Sequence, residues 1–239
     1  MTKGGVSTVG AYRMRLALFL ATLCALFAGL ATQAAATSNY DYAPNEYAIV
    51  QDGLSPDGKY SIAAHGNDQG GNEDFRLYLM AEPLHSKLGP LEGAVPWLDT
   101  RPKAFDAVWS QDSQFVALGY RLDRHLYTIN HVYRIGDGRA YPVGGPNLVE
   151  AMGIKAEYRE GVDFQSVMEQ LVWLGPGRFR LMGHGTIVMP PELAQTLDKY
   201  GKQVKAPEPW RGDLVFFEYN IEAECEIEGD KYKVLSLKP

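Results

Sequence analysis

Three stretches of this chain align with one another without gaps, and that recurrence constrains its fold more than any other feature. They are LSPDGKYSIAA (Leu54 to Ala64), WSQDSQFVALG (Trp109 to Gly119) and WLGPGRFRLMG (Trp173 to Gly183). Each runs from a large apolar residue through turn chemistry to an aromatic, Tyr60, Phe115 or Phe179. Each then enters a strand that closes in small residues. In the first copy Pro56 presets φ for a turn, Asp57 can bond local backbone and Gly58 can take a positive φ. A tight turn between extended segments is hairpin chemistry. Its recurrence means one supersecondary unit used several times.

More strand pattern follows each copy. FRLYLMA (Phe75 to Ala81) follows the first. HLYTINHVYRI (His125 to Ile135) follows the second and alternates, with Tyr127, Ile129, His131, Tyr133 and Ile135 on one face. Gly136, Asp137 and Gly138 then turn the chain into RAYPV. LVFFEYN (Leu214 to Asn220) follows the third copy, beyond an insertion over 185–212. Three or four short strands per unit make the expected fold mainly β.

Ser-Pro-Asp-Gly, a basic residue, a buried strand and then a Leu-Tyr strand resembles the TolB-type β-propeller repeat. SPDGKYSIAA with FRLYLMA carries the likeness best, and WSQDSQFVALG with HLYTI comes next. WLGPGRFRLMG keeps the tryptophan, a glycine and the basic–aromatic pair. The resemblance implies antiparallel blades and carries over no catalytic residue. The copies are spaced 55 and 64 residues apart, against roughly 40–50 per blade. Closed propellers have about 4–8 blades. The expectation is therefore about three antiparallel propeller-like blades, open or incomplete, with one or two short helices. A two-sheet β-sandwich is the alternative.

Residues 1–36 read as a signal peptide. Lys3, Arg13 and Arg15 precede the apolar run Leu16 to Leu30, and ATQAAATS offers small residues for cleavage after Ala36. An uncleaved anchor is the other reading, although the run is short of the roughly 20 residues a membrane span needs. Cleavage removes three basic and no acidic residues, which takes the formal charge from −6 to −9. An acidic body repels nucleic acid and anionic membrane, so neither is an expected partner. Residues 37–239 form a single expected domain, exported to the periplasm or the exterior. Of the two cysteines it keeps only Cys225, so its stability comes from a core.

Two segments depart from the β pattern. NLVEAMGIKAEY (Asn147 to Tyr158) has helical spacing with Asn147 as N-cap. PPELAQTLDKYG (Pro190 to Gly201) places Leu193, Leu197 and Tyr200 on one face, with Gly201 as a stop. This insertion reads as a cap on a sheet edge or as a lid over a site. Near the C-terminus, IEAECEIE (Ile221 to Glu228) has strict period two. A turn at Gly229-Asp230 pairs Glu228 with Lys231 and Glu226 with Lys233, and sets Cys225 opposite Val234 and Ile227 opposite Tyr232. The glutamates then form a solvated ladder, and the Cys225 thiol is buried and inert.

Nucleophile-elbow, zinc-helix, paired-cysteine, phosphate-loop and dinucleotide motifs are all absent from the sequence. No catalytic residue, cofactor or metal is assigned. His65 and His184 each end a repeated strand and precede a glycine, so a shared rim site is one reading and polar strand ends the other. His131 reads as a core or interface histidine. Asp68, Asn72, Glu73 and Asp74 offer oxygen ligands for Ca²⁺ without the regular calcium-loop pattern, and a hairpin tip explains them as well. The leading expectation is an exported, non-catalytic module binding a protein or cell-envelope component, with self-association a further way to cover open blades. The alternative is a small exported enzyme or ligand-binding protein with a rim site near His65 and His184.

Overall fold

The computed structural model describes residues 39–66, 74–94, 98–123, 127–154, 163–204 and 213–239. The leader reading over 1–36, the oxygen-rich positions Asp68, Asn72 and Glu73, and the stretches 155–158 and 205–212 lie outside them.

The fold is mainly β. Three four-stranded antiparallel meanders follow one another along the chain. The first is β1 (Ala48–Leu54), β2 (Tyr60–His65), β3 (Arg76–Ala81) and β4 (Ser86–Pro90). The second is β5 (Phe105–Trp109), β6 (Phe115–Asp123), β7 (Tyr127–Gly136) and β8 (Arg139–Val143). The third is β9 (Asp163–Gly175), β10 (Arg178–Met189), β12 (Val215–Glu228) and β13 (Lys231–Lys238), with β11 (Gly201–Val204) added beside β12. Parallel pairs join β1 to β5 at Gln51 and Asp106, and β7 to β9 at Tyr127–Val167 and Thr128–Met168. The result is one large mixed sheet whose path runs from β11 to β4 and does not close.

The repeated stretches form the first hairpin of each meander. Ser55 Oγ accepts from the Tyr60 N–H at 3.0 Å and donates to Asp57 Oδ1 at 2.8 Å. Ser110 does the same with Phe115 and Asp112, at 2.9 and 2.7 Å. Gly58 takes φ 68°, and Ser113 holds the matching place at φ 58°. A serine is strained there, but its hydroxyl accepts from the Asp57 N–H at 3.2 Å and ties the two turns together. Two indoles also tie successive meanders. Trp109 Nε1 donates to Gly53 O at 3.1 Å, and Trp173 Nε1 donates to Val108 O at 2.8 Å. Each carbonyl belongs to the position before the aligned residue of the preceding copy.

The middle meander is buried on both faces. Ala107, Val116, Leu118, Tyr120, Tyr133 and Ile135 enter a core shared with Ile62, Ala64, Leu77 and Leu79 of the first meander. Ala117, Val132 and Val143 enter a second core with Leu171, Phe179, Leu181 and Ala223 of the third. The third copy departs from the other two. Trp109 pairs with Val116, seven residues on, whereas Trp173 pairs with Phe179, six residues on. A one-residue slip exchanges the faces of a strand. Tyr60 and Phe115 thus point toward the following meander, and Phe179 points back toward the second. Arg178 and Arg180 turn outward and meet Glu222 and Glu224.

Helix α1 (Leu148–Ala151) begins at Asn147 with a full capping box to Glu150. Helix α2 (Pro191–Thr196) is shorter than its spacing predicts. Leu197 leaves helical geometry at φ −109°, ψ 4°, and the chain turns there to bury Leu197 and Tyr200. Gly201 opens β11 instead of only ending a helix. The insertion expected over 185–212 also starts later: Gly185 to Met189 continue β10, because Ile187 and Met189 pack into the core. VFFEYN and IEAECEIE are one strand, β12. Its hairpin has the expected register, Glu228–Lys231, Ile227–Tyr232, Glu226–Lys233 and Cys225–Val234.

Candidate functional site

The first meander carries an aromatic cluster on the face turned away from its core. His65 and Arg76 are directly paired across β2 and β3, and Ala63 is paired with Tyr78, which puts His65 and Tyr78 on that face. Tyr47 arrives from the segment before β1. Its ring stacks on His65 at 4.5 Å between centroids and meets Tyr78 edge-on at 5.2 Å. Lys87 Nζ stands 5.4 and 5.5 Å from the two tyrosine ring centroids, within cation–π range. Tyr47, His65 and Tyr78 are all half-buried, and Leu84 on the following turn is 85% exposed.

The cluster is held from behind. His65 Nδ1 donates to the Glu46 carbonyl at 2.6 Å. His85 Nε2 donates to the Tyr47 carbonyl at 2.7 Å, and its Nδ1 meets Glu82 Oε1 at 2.7 Å. Ser61 Oγ also donates to Glu82, at 2.6 Å. Hydrogen bonding to Glu82 raises the His85 pKa, helped by the Tyr47 carbonyl. The hydrogen bonds from Ser61 and His85 hold Glu82 below its ordinary value. An imidazole with both ring nitrogens engaged thus positions Tyr47.

A second polar feature lies in the core of the third meander. Along β9, Val167, Glu169, Leu171 and Trp173 share the core-facing phase, so Glu169 occupies an apolar position. Burial pushes its carboxyl up to about 7, against a hydrogen bond from the Asn130 N–H at 3.3 Å that favours the charged form. Tyr219, also in this layer, is 3% exposed, and its hydroxyl has no hydrogen-bond partner among the described residues.

The histidines singled out from sequence part company. His65 belongs to the aromatic cluster. His184 is exposed on β10, between Met168 and Asn220 on the neighbouring strands. No hydrogen bond or ring contact joins the two among the described residues. His131 stacks on Tyr120 at 5.4 Å, and burial lowers its pKa. Cys225 is 1% exposed, and burial, followed by the charge of Glu169, raises its thiol to about 12. Glu226 and Glu228 pair with Lys233, while Glu222 and Glu224 take arginines from β10. Among the described residues no group of three or more His, Cys, Asp or Glu is placed to hold a metal ion. No helix among them is long and apolar enough to cross a membrane.

Tyr47, Tyr78 and Lys87 were not singled out from sequence. The available signal was the Leu-Tyr pair of FRLYLMA, whose tyrosine must face opposite to its leucines. No family model matches the chain, and no curated protein matches it in sequence.

Proposed function

We propose that this chain is an exported, non-catalytic binding module, and that the aromatic face of its first meander recognises a protein or cell-envelope component. The observation that carries this reading is the half-exposed cluster of Tyr47, His65 and Tyr78 under Lys87. Tyrosine gives large contact area at low entropic cost, and such residues concentrate where interfaces are strongest. His85 fixes the Tyr47 backbone, so the face is preorganised. On this reading the first two meanders are propeller-like blades, and the third is a terminal blade turned over so that its charged face meets solvent. Terminal repeats with polar outer faces keep stacked architectures soluble.

The test is photo-cross-linking in the native envelope. A photoreactive residue replacing Tyr78 should give a discrete heterologous adduct, and the same residue replacing Glu226 should not. An adduct lost on Tyr47→Ala and Lys87→Ala supports the reading. Absence of any adduct at Tyr78, or equal adducts at both positions, would overturn it.

A further inference from the structure

We infer that Glu169 is a proton-operated latch for the segment Asn147–Ile154: with its carboxyl protonated the segment is seated on the third meander, and with the carboxyl ionised it lifts. The geometry sets the two side by side. Glu169 is directly opposite Gly183 on β10. Leu148, from α1, fills the space over Gly183 so closely that a β-carbon there would run into it. Leu148 is 2% exposed, and Val149, Met152 and Ile154 pack into the same core. The segment is therefore the lid on the layer that holds the Glu169 carboxyl.

An ionised carboxylate in that layer needs water or a cation. The titratable groups around it are Tyr219 and Cys225 from β12 and Tyr232 from β13, and Glu150 from α1 acts on Tyr232. Burial holds the first three in their neutral forms, and the Glu150 carboxyl accepts from the Asn147 N–H. β7 contributes the Asn130 N–H, while His131 stacks on Tyr120 on the opposite face. Arg178 and Arg180 point outward to Glu222 and Glu224. Glu169 makes no ion pair among the described residues. The lid is the element that yields most readily: a four-residue helix held by a capping box and apolar contacts, too short to be stable alone. Lifting it admits water to the carboxylate and leaves the strand ladder intact.

Hydrogen exchange on the full chain tests this. The reporters are the amides of Ala151, Met152, Gly153 and Ile154, which bond within the segment. After correction for intrinsic rates, they should exchange at least about tenfold faster at pH about 8 than at pH about 5.5, a tenfold change in an opening equilibrium being detectable by this method. The β10 amides should lose no more protection between the two pH values than the fall in global stability that urea titration gives for the same pH values. Glu169→Gln should remove the difference. Equal protection of the segment at both pH values, a loss in β10 that exceeds the global change and matches that of the segment, or an unchanged pH difference in Glu169→Gln would each overturn the latch. The wild-type comparison decides alone should the variant not fold.

Discussion

Glu169 has consequences for the stability of the whole domain as well as for its own surroundings. Between pH about 4.5, the ordinary glutamate range, and pH about 7, the native state keeps a proton that the unfolded chain has lost. Unfolding free energy therefore falls as pH rises through that window and levels off above it. The whole effect is roughly 3 kcal/mol. Glu169→Gln should be more stable than wild type at pH about 8 by an amount of this order, and close to it at pH about 4.5. Urea titrations at both pH values measure this, and a gap that stays constant would contradict it. Cys225 makes a second residue-scale case. With its thiol raised and buried, a thiol reagent should modify its peptide slowly in the native protein and fast in urea, read by mass spectrometry. The two residues differed in legibility. Strict alternation in IEAECEIE gave Cys225 one possible face. Around Glu169 the sequence is SVMEQLVWL, and Met168, Val172 and Leu174 are as apolar as the residues of the other phase. No alternation there selects a face, so the core-facing acid was hidden.

At the scale of elements, the turns carried the clearest message. Ser-x-Asp was legible because both side chains bond the backbone within a few residues, and such local chemistry survives without tertiary context. Ser110→Ala leaves the Phe115 N–H without its partner in a buried setting. It should cost about 1–3 kcal/mol, and Ser110→Gly should not recover this. Thermal or urea unfolding measures both, and a change within error would show that the turn hydroxyl is dispensable. The β3–β4 turn has its own pH signature. The native state binds the His85 proton more tightly than the unfolded chain does. The stability it adds is complete below pH ~6.5, the unfolded value, and is lost as pH rises through the raised native value. The stability gap between wild type and His85→Gln should thus narrow with rising pH, whatever constant cost the φ of 51° at this position adds. Helix lengths were less legible. Leu193, Leu197 and Tyr200 do share a buried side, but the helix ends at Thr196. Packing of Leu197 and Tyr200 outweighs the propensity of the following residues.

At the scale of the whole molecule, the decisive difference among the three copies is a one-residue bulge beside the turn of the third. WLGPGRF and WSQDSQF align position for position, and Gly175–Arg178 keeps the register of Trp109–Val116, yet Leu174 is an extra residue on β9 that shifts the pairing by one at Trp173–Phe179. A gapless alignment cannot show this, because a bulge shifts the register of a pair without adding or removing an aligned position. The slip has an energetic signature. If the third copy faced its neighbour as the second does, Arg180 would lie in the core and Leu181 in solvent. In the observed register Leu181 is 4% exposed inside the second core, while Arg180 forms an ion pair with Glu222 at 3.1 Å on the outer face. Leu181→Ala should therefore cost about 2–5 kcal/mol. Arg180→Ala should stay within about 1 kcal/mol, the range of half-exposed ion pairs. Urea unfolding of both variants separates the two arrangements. A larger loss for Arg180→Ala than for Leu181→Ala would mean that the third meander repeats the step of the first two, leaving its apolar face, and not its ladder of charges, at the open end of the stack.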